Sequence, residues 1–339
     1  MKNYLLLLTT IILFGCSQNE KSKEINIYSQ RHYDVDELQY QNFEKKTGIK
    51  VNVIKANADE LIQRMKNEGD NSPADLFITV DVGKLWQATD MGLLQKFEDS
   101  TITKNISPEL LDKNGYWVPV TYRSRVVVYS NDRVKRGELS TYEDLANEKW
   151  KGRICIRSSS NIYNQSLLAS MIAHNGKDEA ESWAKKVVNN FSRKPKGNDR
   201  SQMTAVVLNE CDITLANTYY LGKWITSDKN TEREYSDKIA VFFPNQKGRG
   251  AHINISGAAV IRTSKNTSSA IKFIEFLAGD KAQKLYSQTN HEYPIRDNIQ
   301  VSKIVESWGY PFKKDKLPLN KLGMFNKKAV IIFDKVGWK

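Results

Sequence analysis

Two adjacent tyrosines, Tyr219 and Tyr220, are the residues whose placement in this sequence most suggests chemistry. They follow a mostly apolar run, 213–216, that is typical of a buried strand, and they precede a predicted helix over 222–226. Neighbouring side chains point to opposite faces of a strand and diverge by about 100° on a helix. Both phenols can therefore approach one target only where regular structure is interrupted. The alternative is a pair of half-buried aromatic residues that cap the strand.

The same arrangement, with a phenol just beyond a predicted strand, occurs at two other places. His32 and Tyr33 follow the first strand of the chain, and Tyr163 lies in a serine- and asparagine-rich segment between a strand and a helix. Free backbone N–H groups at the start of a helix suit an anionic ligand. Simple capping of that helix by Ser159 or Asn161 is the alternative interpretation.

Four phenols and one imidazole form an unusual pocket for a sugar or a peptide, but a suitable one for a hard trivalent cation. Phenolate oxygen is a hard anionic donor, and the charge of a metal lowers the pKa of a group that coordinates it. Three phenolates neutralise Fe(III), and a fourth leaves one negative charge in excess. Arg123 and Arg125 could balance that charge, or they could form ordinary surface salt bridges. Zinc fits less well because it favours cysteine, histidine and carboxylate ligands.

The elements that must position these residues alternate as βαβαβ between residues 25 and 91, which predicts an open, mostly parallel α/β sheet. Ligands of such sheets bind beyond the carboxyl ends of the strands. The long β-branched and aromatic run 117–130 predicts a strand that crosses between two lobes. A strand over 251–255 is expected to return the chain to the first lobe, followed by a further strand over 258–261. Two such connections make a hinge, and a hinge implies a cleft.

The N-terminus is predicted to be a processing signal and a tether. Lys2 precedes a mostly apolar run too short to cross a bilayer, and this run ends in the letters LFGC at Cys16. These letters resemble a bacterial lipobox, although Phe14 is a less usual second residue. We expect a lipoprotein signal peptide over 1–15, lipidation of Cys16 and a polar tether over 16–23. The alternative is an ordinary signal peptide with an incidental cysteine.

The two remaining cysteines, Cys155 and Cys211, favour one disulfide in an exported protein, and two reduced, buried thiols are the alternative. The formal net charge of +12 comes from lysines scattered among acidic residues, which indicates a solvated surface rather than a nucleic-acid partner.

The sequence lacks three common catalytic motifs. It has no Gly-x-Ser-x-Gly nucleophile elbow, no His-Glu-x-x-His zinc motif and no glycine-rich phosphate loop, so we do not expect an enzyme.

Several segments together resemble those of periplasmic ferric-iron-binding proteins, the solute-binding components of iron ABC transporters. They read Ser29-Gln30-Arg31-His32-Tyr33, Tyr122-Arg123-Ser124-Arg125, Ser159-Ser160-Asn161-Ile162-Tyr163, Asn217-Thr218-Tyr219-Tyr220-Leu221-Gly222 and Glu292-Tyr293-Pro294. The resemblance covers the mature chain and is greatest to the cyanobacterial and Campylobacter subgroup. It implies the type II periplasmic-binding fold, in which two α/β lobes are joined by two crossover strands that form a hinge.

The resemblance also implies which residues bind the metal. Tyr163, Tyr219 and Tyr220 match the ligand tyrosines of the second lobe, and Tyr33 matches the first-lobe tyrosine. His32 matches a histidine that binds iron in some members and stands aside in others.

Charge balance at the site follows the same resemblance. Arg123 or Arg125 matches a basic residue near the iron. Some relatives add a synergistic anion such as carbonate. With five candidate protein ligands in this sequence, an anion is not expected to be essential.

The lobes are expected to comprise 24–121 with 252–300, and 122–251 with 301–339. The implied protein is a monomeric, lipid-anchored lipoprotein on the outer face of the cytoplasmic membrane, in the periplasm or at the cell surface. It would capture Fe(III) in the cleft between the lobes and deliver it to an ABC permease.

The rival prediction is a relative of the same fold that binds a small organic cation such as a polyamine or thiamine. Such a pocket would need carboxylates that converge on the amines. The cleft segments offer Asp34 and Asp199 but no convergent acidic set.

Overall fold

The computed structural model describes residues 23–97 and 100–339, which form a mixed α/β protein. The predicted signal peptide, residues 1–15, and the predicted lipidation site, Cys16, lie outside the described residues. None of the described helices is long and apolar enough to cross a membrane.

Eight strands within the described residues form one sheet. They are β1 (Glu24–Ser29), β2 (Lys50–Lys55), β3 (Leu76–Thr79), β4 (Val118–Ser130), β5 (Ile154–Cys155), β6 (Ile213–Asn217), β7 (Ile239–Phe242) and β8 (Ile253–Val260). Their order is β2-β1-β3-β8-β4-β6-β5, with β7 also paired to β4. The β1 strand is parallel to β2 and β3, whereas β8 and β4 run antiparallel to their neighbours.

The same part of the chain forms fourteen α-helices. They are α1 (Asp34–Thr47), α2 (Ala58–Glu68), α3 (Val82–Asp90), α4 (Ser100–Thr103), α5 (Ile162–Asn175), α6 (Lys177–Asn189), α7 (Asp199–Val207), α8 (Thr218–Ile225), α9 (Asn230–Ser236), α10 (Thr267–Ala278), α11 (Asp280–Asn290), α12 (Lys303–Ser307), α13 (Asn320–Met324) and α14 (Asn326–Val336).

The β4 strand joins the two halves of the molecule, as the run 117–130 predicts. Its first half, Val118 to Ser124, pairs with β8. Its second half, from Arg125 onwards, pairs with β6 and β7. All of β4 is buried, which explains why β-branched and aromatic residues predominate in it. The prediction of a crossover strand is confirmed.

The prediction of separate strands over 251–255 and 258–261 is wrong, because β8 is one continuous strand. Ser256 and Gly257, the residues between the two apolar runs, continue the strand. In the structure Gly257 lies within the strand, where a Cβ would come within 2.6 Å of Leu85 Cδ1 and 3.1 Å of the Val118 carbonyl oxygen. Glycine is thus required there by close packing and not by chain reversal.

Two hydrophobic cores support the two halves. The larger lies beneath β1, β3 and β8 and extends to α8, and the smaller lies among β5, β6, α5, α6 and α14. A disulfide joins Cys155 of β5 to Cys211, just before β6, with their Cα atoms 5.7 Å apart. This link ties neighbouring strands of the second half together.

The penultimate helix, α13, contacts helices of both halves, α3 and α5. Gly323 allows this approach, because a Cβ at that position would come within 2.4 Å of Trp86 Cβ on α3. The following helix, α14, packs on α5 and α6. The tail of the chain therefore spans both halves of the molecule.

We expect Gly323→Ala to lower the free energy of unfolding by about 1–3 kcal/mol, because overpacking displaces Trp86 or α13. Urea unfolding of the iron-free protein measures the change. Gly137→Ala is the matched control, since a Cβ there meets no atom within 4 Å. Equal stability of the two variants would show that α13 can shift without cost.

Candidate metal centre

The four tyrosines singled out in the sequence converge between the two halves of the protein. The Tyr33 hydroxyl donates a hydrogen bond to the Tyr219 hydroxyl at 3.1 Å, and the Tyr219 hydroxyl donates to that of Tyr163 at 3.4 Å. The ring of Tyr220 lies 4.4 Å from that of Tyr219, centre to centre. Three distant segments thus bring their phenol oxygens to one place.

Each phenol lies where a strand gives way to a helix. Tyr33 is the residue immediately before α1, and Tyr163 is in the first turn of α5. Tyr219 and Tyr220 are in the first turn of α8, which begins directly after β6. The positive ends of these helix dipoles favour negative charge on the phenol oxygens.

The predicted helix over 222–226 is too short, because α8 begins at Thr218. The aromatic pair resembles the end of a strand in the sequence, but Asn217 lies in the position that caps the helix, with extended backbone angles. Its side-chain amide donates to the Tyr219 hydroxyl at 3.3 Å. The two tyrosines are therefore helical neighbours whose directions differ by about 100°.

Burial makes ionisation of these phenols unfavourable in the protein alone. It raises the pKa of Tyr33 and Tyr219 well above that of a free phenol, and the neighbouring tyrosines raise each pKa further. The pKa of Tyr220 is raised for the same reasons. A buried group ionises where a nearby positive charge offsets the loss of solvation, and a coordinated metal ion supplies such a charge.

Arginines surround Tyr163. The guanidinium carbon of Arg123 lies 5.2 Å from its ring centre, and those of Arg125 and Arg157 both lie at 5.8 Å. Arg123 and Arg125 are buried, so the alternative of ordinary surface salt bridges is wrong. Arg157 has no counterpart among the predicted residues, because its loop position after β5 does not reveal that it turns inward.

Buried carboxylates hold these arginines in place. Asp199 accepts hydrogen bonds at 2.8 Å from both Arg125 and Arg157, and Asp81 accepts a longer one, at 3.4 Å, from Arg123. Three cationic side chains against two acids leave one positive charge beside Tyr163. This excess favours phenolate at the site.

His32 lies beside the phenol cluster and not within it. Its side chain is exposed, its ring centre is 4.8 Å from that of Tyr33, and Nδ1 is 3.3 Å from the Gln30 carbonyl oxygen. It lines the same cleft as the tyrosines. The structure therefore brings the four phenols together and places His32 at their rim.

The cleft next to the phenols has a volume of about 710 Å³ and a basic lining. Lys55, Arg157, Arg200 and Lys223 contribute positive charge, with Asp34 the acidic residue of the lining. Arg200 and Lys223 are absent from the predicted set. Lys223 could have been found from its spacing, because it lies one helical turn after the tyrosine pair on α8.

Lys223 contacts the phenol cluster directly. Its Nζ atom lies 4.1 Å from the ring centre of Tyr33, a cation–π distance. Burial lowers its pKa to about 8.

In the described part of the chain, no group of three or more His, Cys, Asp or Glu residues could hold a metal ion. The phenol cluster is thus the candidate that the geometry offers.

This fold belongs to a known family. The model for bacterial extracellular solute-binding proteins matches residues 39–311, and the chain is a member of that family. Iron uptake protein A1 of Synechocystis is 46% identical over 319 residues, which cover 94% of this chain and 88% of that protein.

Solved structures agree with this assignment. A Trichodesmium protein (IdiA, FutA) in complex with iron and citrate ligands is 48% identical, with a TM-score of 0.89 over 93% of this chain and 100% of that one. The ferric binding protein from Campylobacter jejuni is 41% identical, with the same TM-score and coverage. The predicted family resemblance and two-lobed α/β fold are confirmed.

His252 provides a pH-sensitive group behind Tyr163. It lies with Arg123, Arg125 and Tyr163 around a small cavity. Burial, with help from the two arginines, lowers the pKa of His252 to about 3. The folded protein therefore keeps this imidazole neutral under conditions in which an unfolded chain would protonate it.

We expect the iron-free protein to lose stability as the pH falls from about 6.5 towards 3. Above pH 6.5 both states hold neutral His252, whereas below it only the unfolded state gains the proton. This one group contributes up to about 1.4 kcal/mol per pH unit in that window. His252→Gln should flatten the slope of unfolding free energy against pH, as measured with urea. Parallel slopes for the wild type and His252→Gln would contradict this account.

Proposed function

We propose that this protein captures Fe(III) between its lobes and delivers it to an ABC permease. The observation that carries the proposal is the linked contact of Tyr33, Tyr219 and Tyr163, which joins phenols of both halves of the sheet. The proposed lobes comprise 24–121 with 252–300, and 122–251 with 301–339. Closure over the metal would bring their ligands together by motion at β4 and β8.

The proposed ligands are the four phenolates of Tyr33, Tyr163, Tyr219 and Tyr220, with His32 as a fifth. A hard Fe(III) ion suits phenolate oxygen, and its charge offsets the penalty for ionising buried phenols. Four phenolates exceed the metal's charge by one. The excess positive charge of the arginines beside Tyr163 supports this balance.

The related proteins support iron as the cargo. The Synechocystis relative is an iron uptake protein, the Campylobacter relative is a ferric binding protein, and the Trichodesmium protein was solved with iron and citrate. In this chain the basic lining of the cleft would suit an accompanying anion such as carbonate. We expect the protein ligands to suffice without one.

The site does not favour an organic cation or an enzymatic reaction. Asp199 is buried and engaged by two arginines, which leaves Asp34 without an acidic partner in the lining of the cleft. The four basic side chains there would repel a polyamine. Because the relatives are iron uptake and ferric binding proteins, we also propose a binding protein rather than an enzyme.

We expect purified protein mixed with ferric citrate to show a visible tyrosinate-to-iron charge-transfer band. Replacing both Tyr219 and Tyr220 with Phe should abolish the band and weaken iron binding by more than about 100-fold. Mutating residues that merely hydrogen-bond to metal ligands already lowers metal affinity by about 10–100-fold, and this change removes two ligands. Absorption titration measures both effects.

Tyr116→Phe is the control, because Tyr116 is a partly buried tyrosine outside the cleft that packs near Lys96. It should leave the band intact. A colourless wild-type protein would refute iron–tyrosinate binding, and an unchanged double variant would remove the tyrosine pair from the site.

We also propose that the protein is a monomeric lipoprotein, exported and held by Cys16 at the outer face of the cytoplasmic membrane. Family membership supports an extracytoplasmic location, and the LFGC letters before the polar tether support the lipid. Acyl chains are the anchor in this proposal.

Cys16→Ser expressed from the full chain should leave the membrane fraction, because it removes the atom that would carry the lipid. Fractionation with detection of the protein in each fraction measures this shift, and mass spectrometry of the wild type identifies the modification. Retention of the variant in the membrane fraction would contradict the anchor at Cys16.

A further inference from the structure

The segment 290–293 lies next to Tyr33 of one half of the protein and next to the helix that carries Tyr219 and Tyr220 of the other. It begins where α11 ends and pairs with the crossover strand. The backbones of Tyr122 and Tyr293 exchange hydrogen bonds of 3.0 and 2.9 Å. The segment is thereby fixed to β4 at the point where the two halves of the sheet meet.

Glu292 anchors this segment to Tyr33 through a buried network. Its carboxylate accepts hydrogen bonds from Arg31 at 2.8 and 3.1 Å and from Thr121 at 2.8 Å. Arg31 also donates to Asp36 at 2.7 Å, and Asp36 accepts from the backbone N–H of Tyr33 at 3.0 Å. The position of Tyr33 is therefore tied to that of Glu292.

His291, the preceding residue, reaches the helix that carries the other tyrosines. A Cβ on Gly222 would lie 2.6–2.8 Å from the imidazole and its Cβ, so the helix backbone rests directly on His291. The ring is held on both sides, with Nδ1 3.1 Å from Ser302 Oγ and Nε2 3.2 Å from Thr226 Oγ1. His291 is buried and adopts a left-handed backbone with φ of 55°, which is costly for a residue other than glycine.

We propose that His291 is a positioning residue that sets how far the Tyr219–Tyr220 pair lies from Tyr33. The proposal rests on the proposed function, since it assigns His291 a role in arranging the same ligands. Gly222 is on the same helix as the tyrosine pair and two residues beyond it, so a displacement of the helix at Gly222 moves both phenols. Metal ligands need placement within about 0.5 Å, which a side chain in direct contact with the helix backbone can enforce.

The experiment is a double-mutant cycle read by iron affinity and by the charge-transfer band. Gly222→Ala should push α8 away from His291, weaken iron binding by about tenfold and shift the band. His291→Ala should weaken binding by only about threefold. Because the smaller side chain makes room for the added methyl group, the Gly222→Ala/His291→Ala protein should bind iron within about threefold of His291→Ala alone, with the band restored towards wild type.

Gly137→Ala serves as the control for adding a methyl group, and it should match the wild type in affinity and band. Gly222→Ala that binds like this control would overturn the proposal. So would a double variant as weak as the product of the single effects, because the two residues would then act independently.

His291→Asn tests the same role without adding bulk, since asparagine tolerates the left-handed backbone. It should weaken iron binding about threefold, and wild-type affinity in both His291 variants would overturn the proposal.

Hydrogen exchange of the α8 amides in iron-free protein gives an independent reading. These amides should exchange faster in His291→Ala than in Gly137→Ala. Equal exchange rates would contradict the proposal that His291 restrains α8. The wild-type band alone tests the proposed function, so the two failures are distinguishable.

Discussion

The structure depends on one strand that is shared by both halves of the sheet. Residues Val118 to Ser124 of β4 follow the register of β8, and from Arg125 onwards they follow that of β6 and β7. Because the peptide backbone hardly stretches, this register determines where the strand ends of the two halves lie relative to each other. The meeting of Tyr33 with Tyr219 is a consequence of that shared ladder.

Two sets of electrostatic interactions act at the site: those between the phenols and the arginines, and those between the arginines and buried carboxylates. The phenols have raised pKa values because burial opposes their charge, while three arginines around Tyr163 favour that charge. The arginines are themselves held by Asp81 and Asp199, so they cannot turn away to solvent. The two acids beside the site, Asp81 and Asp199, therefore orient cationic side chains, and the phenols remain as the anionic donors available to a metal there.

The sequence predicts those features that depend on local pattern. The crossover strand was predictable because β4 is long and rich in β-branched and aromatic residues, and the grouping of the tyrosines was predictable because each follows a strand. The start of α8 at Thr218 and the continuity of β8 through Gly257 were not, since tertiary contacts overrode the local pattern at both places. Arg157 and Arg200 also escaped prediction, because their approach to the cleft depends on contacts between segments far apart in sequence.

The short helix α13 has a mechanical consequence. It has five residues, lies near the end of the chain, and packs on α3 of one half and α5 of the other. Any motion that separates α3 from α5 must break one of these two contacts or carry α13 along with a single partner. The amplitude of such a motion is therefore limited by α13, a restraint far in sequence from the strands that cross between the halves. A substitution in the C-terminal tail could alter how widely the two halves separate without changing any of the proposed ligands.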